Sequence, residues 1–233
     1  MNRQRRMSLR FTTRGWPPSV RFVGGADLAF EKSPSPRPRR AGTVGSRAIA
    51  VALVWDRKTR SCVEVAVARR RIRFPYVPGL LSFREAPVLL AAMRKLKTTA
   101  DVWMFDGHGI SHPRGCGLAT HLGILAGAGT VGAAKSLLCG RCAQPARRRG
   151  SRAQIIHNGR LVGYALRTRT GDEPIYVSPG FRCHPRQAAD LVLSCTFGHR
   201  LPEPTRLADA LCARLRTPKS HRNPRIGPYS SYQ

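Results

Sequence analysis

The chain is predicted to be one mixed-sheet α/β domain, and three observations carry that prediction. Strand-like runs at 20–30, 48–55 and 62–72 follow one another with no helical stripe between them, which makes a three-stranded meander. From about residue 86 the pattern changes to alternating helical stripes and short apolar strands, the mark of α-β-α-β units. The length, 233 residues with 42% hydrophobic, is enough for one sizeable core and calls for no second domain.

The first strand, 20–30, contains two glycines and then Asp27, a carboxylate in an otherwise apolar run. Burying such a group is costly unless it is neutralised or bound, so Asp27 is a candidate site residue. Residues 31–47 are rich in Pro, Gly, Arg and Ser and are expected to form an exposed, mobile loop whose arginines are within reach of phosphate. The second strand is a continuous apolar run, and the third alternates through Val63, Val65 and Val67, pairing with it as a hairpin across the turn at 56–60. Phe74-Pro75-Tyr76-Val77-Pro78-Gly79-Leu80 then breaks the ladder. It is either a stiff connection or a wedge that sets Tyr76 against bases.

Ser82 and Glu85 have capping-box spacing, but Pro87 favours a helix starting at Ala86, which would leave Glu85 free at its mouth. Leu89, Ala92, Met93 and Leu96 supply the buried stripe of that helix. Val102–Phe105 is a short strand ending in Asp106, after which Gly107, His108, Gly109, His112 and Arg114 follow within eight residues. A short helix is expected over 118–125 with Leu118, Leu122 and Leu125 inward, and a strand over 130–135 carrying Lys135 at its end. Residues 139–153 have no periodicity, and strands follow at 161–169 and 175–177, closed by Ser178-Pro179-Gly180. Helices are expected at 186–195 and after Pro204, the last with Leu207, Ala208, Leu211 and Leu215 on one face. Residues 1–19 form a basic arm expected to be flexible, compatible with a presequence or a nucleic-acid-binding segment, and 217–233 a tail expected to be disordered.

The net charge is +29, from 41 Lys plus Arg against 12 Asp plus Glu. Arginine dominates the bases, and its planar fork matches phosphate oxygens in pairs, so nucleic acid is the expected partner. Seven scattered cysteines fit reduced thiols in an intracellular, cytoplasmic protein rather than a disulfide framework. The Cys139–Cys142 pair lacks a close second pair, which disfavours a structural zinc. No run is long enough for a membrane span. With so few acids, Asp27, Glu85 and Asp106 stand out. If the first and fourth strands are neighbours, all three converge on one edge of the sheet, where one or two Mg²⁺ ions would offset their repulsion and activate a phosphodiester.

Four blocks sharpen this: RIRFPYVPGLLSFRE at 71–85, DGHGISHPRGCGLATHLG at 106–123, VGAAK at 131–135 and RLPEPTRLAD at 200–209. Together they resemble the endonuclease V family, the deoxyinosine 3′ endonucleases, over about residues 20–216. The resemblance implies an RNase H-like fold, a mixed sheet flanked by helices. It also implies hydrolysis of the second phosphodiester bond 3′ to deoxyinosine, leaving 5′-phosphate and 3′-hydroxyl ends. Asp27, Glu85 and Asp106 become catalytic metal ligands for Mg²⁺, with Mn²⁺ able to substitute, and Lys135 and His112 supporting catalytic residues. Tyr76, Pro75 and Pro78 become the wedge, Gly79, Leu80, Gly107, His108 and Gly109 the surroundings of the base, and Arg114 a residue facing the nucleic acid, able to hold Asp106 or reach phosphate. A monomer acting on inosine-containing DNA is expected. The competing readings are a different RNase H-like nuclease or resolvase, inosine-containing RNA as substrate, and a non-catalytic basic nucleic-acid-binding module.

Overall fold

The computed structural model describes residues 2–31 and 43–216. Most of the loop expected at 31–47 and the whole tail at 217–233 lie outside the described residues. Within them is an eight-stranded mixed sheet of order β3-β2-β1-β4-β5-β8-β7-β6. The strands are β1 (Phe22–Phe30), β2 (Arg47–Asp56), β3 (Ser61–Arg71), β4 (Val102–Phe105), β5 (Gly129–Ala134), β6 (Arg152–His157), β7 (Arg160–Leu166) and β8 (Ile175–Phe181). The helices are α1 (Asn2–Ser8), α2 (Leu81–Met93), α3 (Leu118–Ala126), α4 (Pro185–Ser194) and α5 (Glu203–Leu215). The expected fold class is therefore the observed one. Among the described residues no helix is long and apolar enough to cross a membrane.

β1, β2 and β3 form the antiparallel meander. β4 adds to β1 in parallel, and β5 to β4 in parallel, so the first and fourth strands are neighbours. β2 is buried at every residue after Arg47, as a continuous apolar run requires when both faces of a strand are covered. On one face, Leu89 and Ala92 of α2 and Leu122 of α3 pack on Ala26, Ala50 and Phe105. On the other, α4 packs on Val102, Met104 and Val177, and α5 on Ile49, Val51 and Leu53. Full burial of each such aliphatic or aromatic side chain contributes about 1.5–3 kcal/mol. Asp101 ties the start of β1 in place by accepting from the Arg21 and Phe22 amides, each at 2.8 Å.

The structure departs from the sequence reading at five places. Residues 2–8 form a helix, not a flexible arm, because Gln4 and Met7 are buried against the rest of the domain. α2 starts at Leu81 with neither proposed start: Ser82 is spent on His121, with Oγ and Nδ1 2.9 Å apart, and Pro87 sits inside the helix on its exposed side, where water can reach the carbonyl it leaves unbonded. Leu125 is exposed, and Ile124 is buried in its place. β6, a strand not expected from the sequence, overlaps only the end of the irregular stretch at 139–153 and forms a hairpin with β7 around Asn158-Gly159, both at positive φ. β8 runs on through Pro179 to Phe181, because a register shift opposite Thr130 and Val131 removes the ladder bond that proline cannot make.

Candidate active site

Alternation along β1 points Gly25 and Asp27 to the face covered by α5. A Cβ at Gly25 would overlap the Pro204 carbonyl, so this glycine is what lets the start of α5 sit directly on the strand. Ala26 pairs with Phe105 across the parallel β1–β4 ladder, and Asp27 and Asp106 are the next residue on each strand. Lys135 follows the end of β5, with its Nζ 2.7 Å from Asp106 Oδ2. Glu85 enters from the first turns of α2 and is close enough for Asp27 and Asp106 to act on it electrostatically. α5 contributes Asp209, whose charge acts on both Asp27 and Lys135. Asp27, Glu85, Asp106 and Lys135, expected together from sequence, are thus brought to one end of the central strands.

Burial is the main cause that pushes the Asp27 carboxyl up to about 6. The Leu28 amide opposes this, the charges of Asp209 and Asp106 add to it, and Lys135 relieves part of it. Glu85 is pushed further, to about 7, by burial first and then by Asp27, with Arg84 opposing and Asp106 adding. The Lys135 ammonium is held above its ordinary value, first by its hydrogen bond to Asp106. Among the described residues no three His, Cys, Asp or Glu side chains are already gathered around a common point for an ion; Lys135 lies against Asp106 instead. The donor set nonetheless suits a hard divalent cation. It is all carboxylate oxygen, and the burial cost and mutual repulsion that raise Asp27 and Glu85 are what such a cation would offset.

Beside the acids stands the Pro75–Pro78 segment. Tyr76 is 66% exposed, and the Arg84 guanidinium lies 5.9 Å from its ring centre and 4.7 Å from that of Phe30. Pro75 and Pro78 are exposed as well, and Leu80 closes the turn through its amide to Val77 O at 2.9 Å. Gly79 has φ +74, and its carbonyl accepts from Gln4 Nε2 at 3.0 Å and from Arg114 Nη2 at 2.6 Å. Gln4, 1% exposed, also donates to the Cys116 carbonyl at 2.7 Å and accepts from Arg114 Nε. α1 therefore knots the wedge to the loop after β4.

Several expected site residues take other places. Arg114 donates to Gln4 Oε1 and to the Gly79 carbonyl. His112 is buried beside it, accepting from the Arg114 amide at 3.1 Å, and burial followed by the Arg114 charge pushes it down to about 4. Gly109 is buried with its amide on Ser178 Oγ at 2.8 Å, and a Cβ there would overlap the Pro179 carbonyl. Its lack of a side chain serves packing on β8, not room for a base. A Cβ at Gly107 would meet Leu118 only at ordinary distance. His108 is held below its usual value by burial, and its Nδ1 is buried without a partner among the described residues. Sequence reasoning missed Gln4 and Arg200. The latter donates to the carbonyls of Lys135 (3.0 Å), Glu173 (2.9 Å) and Pro174 (2.8 Å) and so fixes the backbone that carries the lysine. Arg200 lies in the last matching block, the one signal that could have flagged it.

Fold and site first define a class: an RNase H-like α/β domain with carboxylates gathered at the carboxyl ends of its central parallel strands. The family model for endonuclease V matches residues 4–210. Endonuclease V of Trichormus variabilis is 44% identical over 194 residues, 83% of each chain, and that of Roseiflexus castenholzii 46% identical over 179 residues, 77% of this chain and 81% of the relative. The crystal structure of Streptomyces avermitilis endonuclease V superimposes with a TM-score of 0.81 at 38% identity, covering 91% of this chain and 90% of that one. A Ciona intestinalis endonuclease V in complex with a 24mer DNA containing an inosine followed by a ribo-adenosine shares the fold, with a TM-score of 0.75 at 24% identity over 91% of this chain and 94% of that one. The chain belongs to the endonuclease V family and is an enzyme of that kind. The matched region begins inside α1, so the N-terminal helix is part of the family domain.

Proposed function

We propose that this chain is a divalent-metal-dependent endonuclease that recognises deoxyinosine in DNA and hydrolyses the second phosphodiester bond on its 3′ side. The observation that carries this reading is the grouping of Asp27, Glu85, Asp106 and Lys135 at the strand ends, with the exposed Tyr76 ring near Arg84, the residue before Glu85. The Ciona relative bound to inosine-containing DNA supports the substrate class.

Asp27, Glu85 and Asp106 would hold Mg²⁺, with Asp209 adjoining. The ion supplies Lewis-acid charge at the scissile phosphate and lowers the pKa of a bound water. The chain's own groups do the rest. Lys135, fixed by Arg200 through its carbonyl, presents a positive Nζ that would screen phosphate charge beside Asp106. Glu85, buried and raised to about 7 in the metal-free chain, would be held ionised once it ligates the cation. Tyr76 offers a ring for stacking where a base leaves the helix, and the partnerless His108 Nδ1 offers an acceptor in the adjoining wall.

The test is cleavage of matched DNA and RNA oligonucleotides, with and without one inosine, in Mg²⁺ or EDTA, beside Asp106→Asn. Cutting that needs Mg²⁺, needs inosine in DNA and disappears in the variant is the expected result. Equal cutting of unmodified strands would sink the lesion reading, and stronger cutting of inosine-containing RNA would move the substrate to RNA.

A further inference from the structure

A second feature adjoins the Pro75–Pro78 segment at the end of β3 and the start of α2. Arg70, Arg71, Arg73 and Arg84 line a groove of about 520 Å³ together with Phe74 and Phe83, whose ring centres are 6.0 Å apart. Among the described residues Arg70 and Arg73 have no hydrogen-bond or ion-pair partner, whereas their neighbours Arg47 and Arg69 are both held by Glu31. Arg84 is 6% exposed, and its Nε is buried without a partner. Four guanidiniums around one groove repel one another, and a buried N–H left unbonded is costly, so the groove is built for an anion. Arginine forks match phosphate oxygens, and the two phenylalanines add apolar surface suited to a sugar or base.

The placement says which nucleic acid. Glu85 and Arg84 are consecutive on α2 and so point about 100° apart. Glu85 joins the acids, and Arg84 lines the groove. Tyr76 lies over Arg84 at this divide. A duplex opened at Tyr76 would send one strand to the carboxylates and the other to the arginines.

We propose that the groove between the end of β3 and the start of α2 binds the backbone of the uncut strand, the one paired with the inosine-containing strand. This rests on the nuclease reading and adds a partner strand to it. Charge complementarity and the unengaged guanidiniums favour that occupant.

The test is the double variant Arg70→Ala/Arg73→Ala, assayed on one inosine oligonucleotide both single-stranded and annealed to its complement. The duplex-to-single-strand ratio of kcat/KM is expected to fall about tenfold or more. In EDTA, the salt slope of duplex binding followed by fluorescence anisotropy should shallow by about 1.8, for two lost phosphate contacts. Both arginines are exposed, so a matching melting curve confirms that the variant folds. An unchanged ratio, whether both substrates suffer alike or neither does, overturns the proposal, because the arginines would then serve the cut strand or nothing. Absence of inosine-dependent cutting by the unmodified protein would instead sink the nuclease reading, while the anisotropy still reports on the groove.

Discussion

Replacing Glu85 by Gln should make the metal-free protein more stable at alkaline pH, although it removes a group proposed for catalysis. In the folded chain the Glu85 carboxyl is moved from 4.5 to about 7 by burial and then by Asp27. Ionising it there costs about 3 kcal/mol more than in the unfolded chain. The sign follows from the direction of the shift. Below pH 4.5 the group is protonated in both states and the stability is fully present; it is lost as pH rises through about 7. Asp27, raised to about 6, acts in the same sense, but the two carboxyls feel each other and their contributions do not simply add. A glutamine side chain in this place cannot ionise and nearly preserves the shape. In EDTA at pH 8, Glu85→Gln should therefore exceed the unmodified protein by up to about 3 kcal/mol, with the difference fading towards pH 4.5. For a domain of this size each kcal/mol moves Tm by about 2–4 °C, so a pH series of thermal melts resolves the effect. Mg²⁺ should stabilise the unmodified protein more than the variant, closing the gap. A variant no more stable than its parent at pH 8 in EDTA, or a gap that does not change with pH, would refute the electrostatic account of the site.

Other expectations follow from the same contacts. Lys135→Ala removes the cation at Asp106 and should lower single-turnover cleavage about 10²-fold with little change in melting; full activity would remove Lys135 from the mechanism. Gln4→Leu leaves the Cys116 carbonyl and Arg114 Nε without this partner and should destabilise by about 2–3 kcal/mol in urea melts while weakening preference for inosine. A variant with both properties intact would show that α1 does not hold the wedge. Tyr76→Ala should leave stability untouched, since the side chain is exposed, but reduce the inosine-to-unmodified cleavage ratio; an unchanged ratio would end the wedge assignment.

Much of the domain was legible before any coordinates. β2 and the central strands announce themselves as unbroken apolar runs, and α4 by Pro185 at its first position. Asp27 stands out as a charge inside a strand, and Asp106 as the acid that ends one. What escaped has physical reasons. α1 is seven residues rich in arginine, too short to hold helix alone and without a stripe to read; burial of Gln4 under the wedge is what secures it. β6 has mixed burial and weak alternation, so only the Asn158-Gly159 turn marked it.

By its order of apolar runs and its four motif blocks, the sequence alone determined the mixed sheet and the family, and it pointed to Asp27, Glu85 and Asp106 as candidates. Only the tertiary structure decided how those acids are served. Asp209 reaches Asp27 because α5 lies directly on Gly25, and Lys135 keeps its place because Arg200, 65 residues later, holds its carbonyl. Arg114 and His112, which look like substrate groups in sequence, became the fastening of the wedge once Gln4 arrived from the other end of the chain. Such partnerships depend on distances set by packing across the sheet, and neither local propensity nor spacing along the chain encodes them.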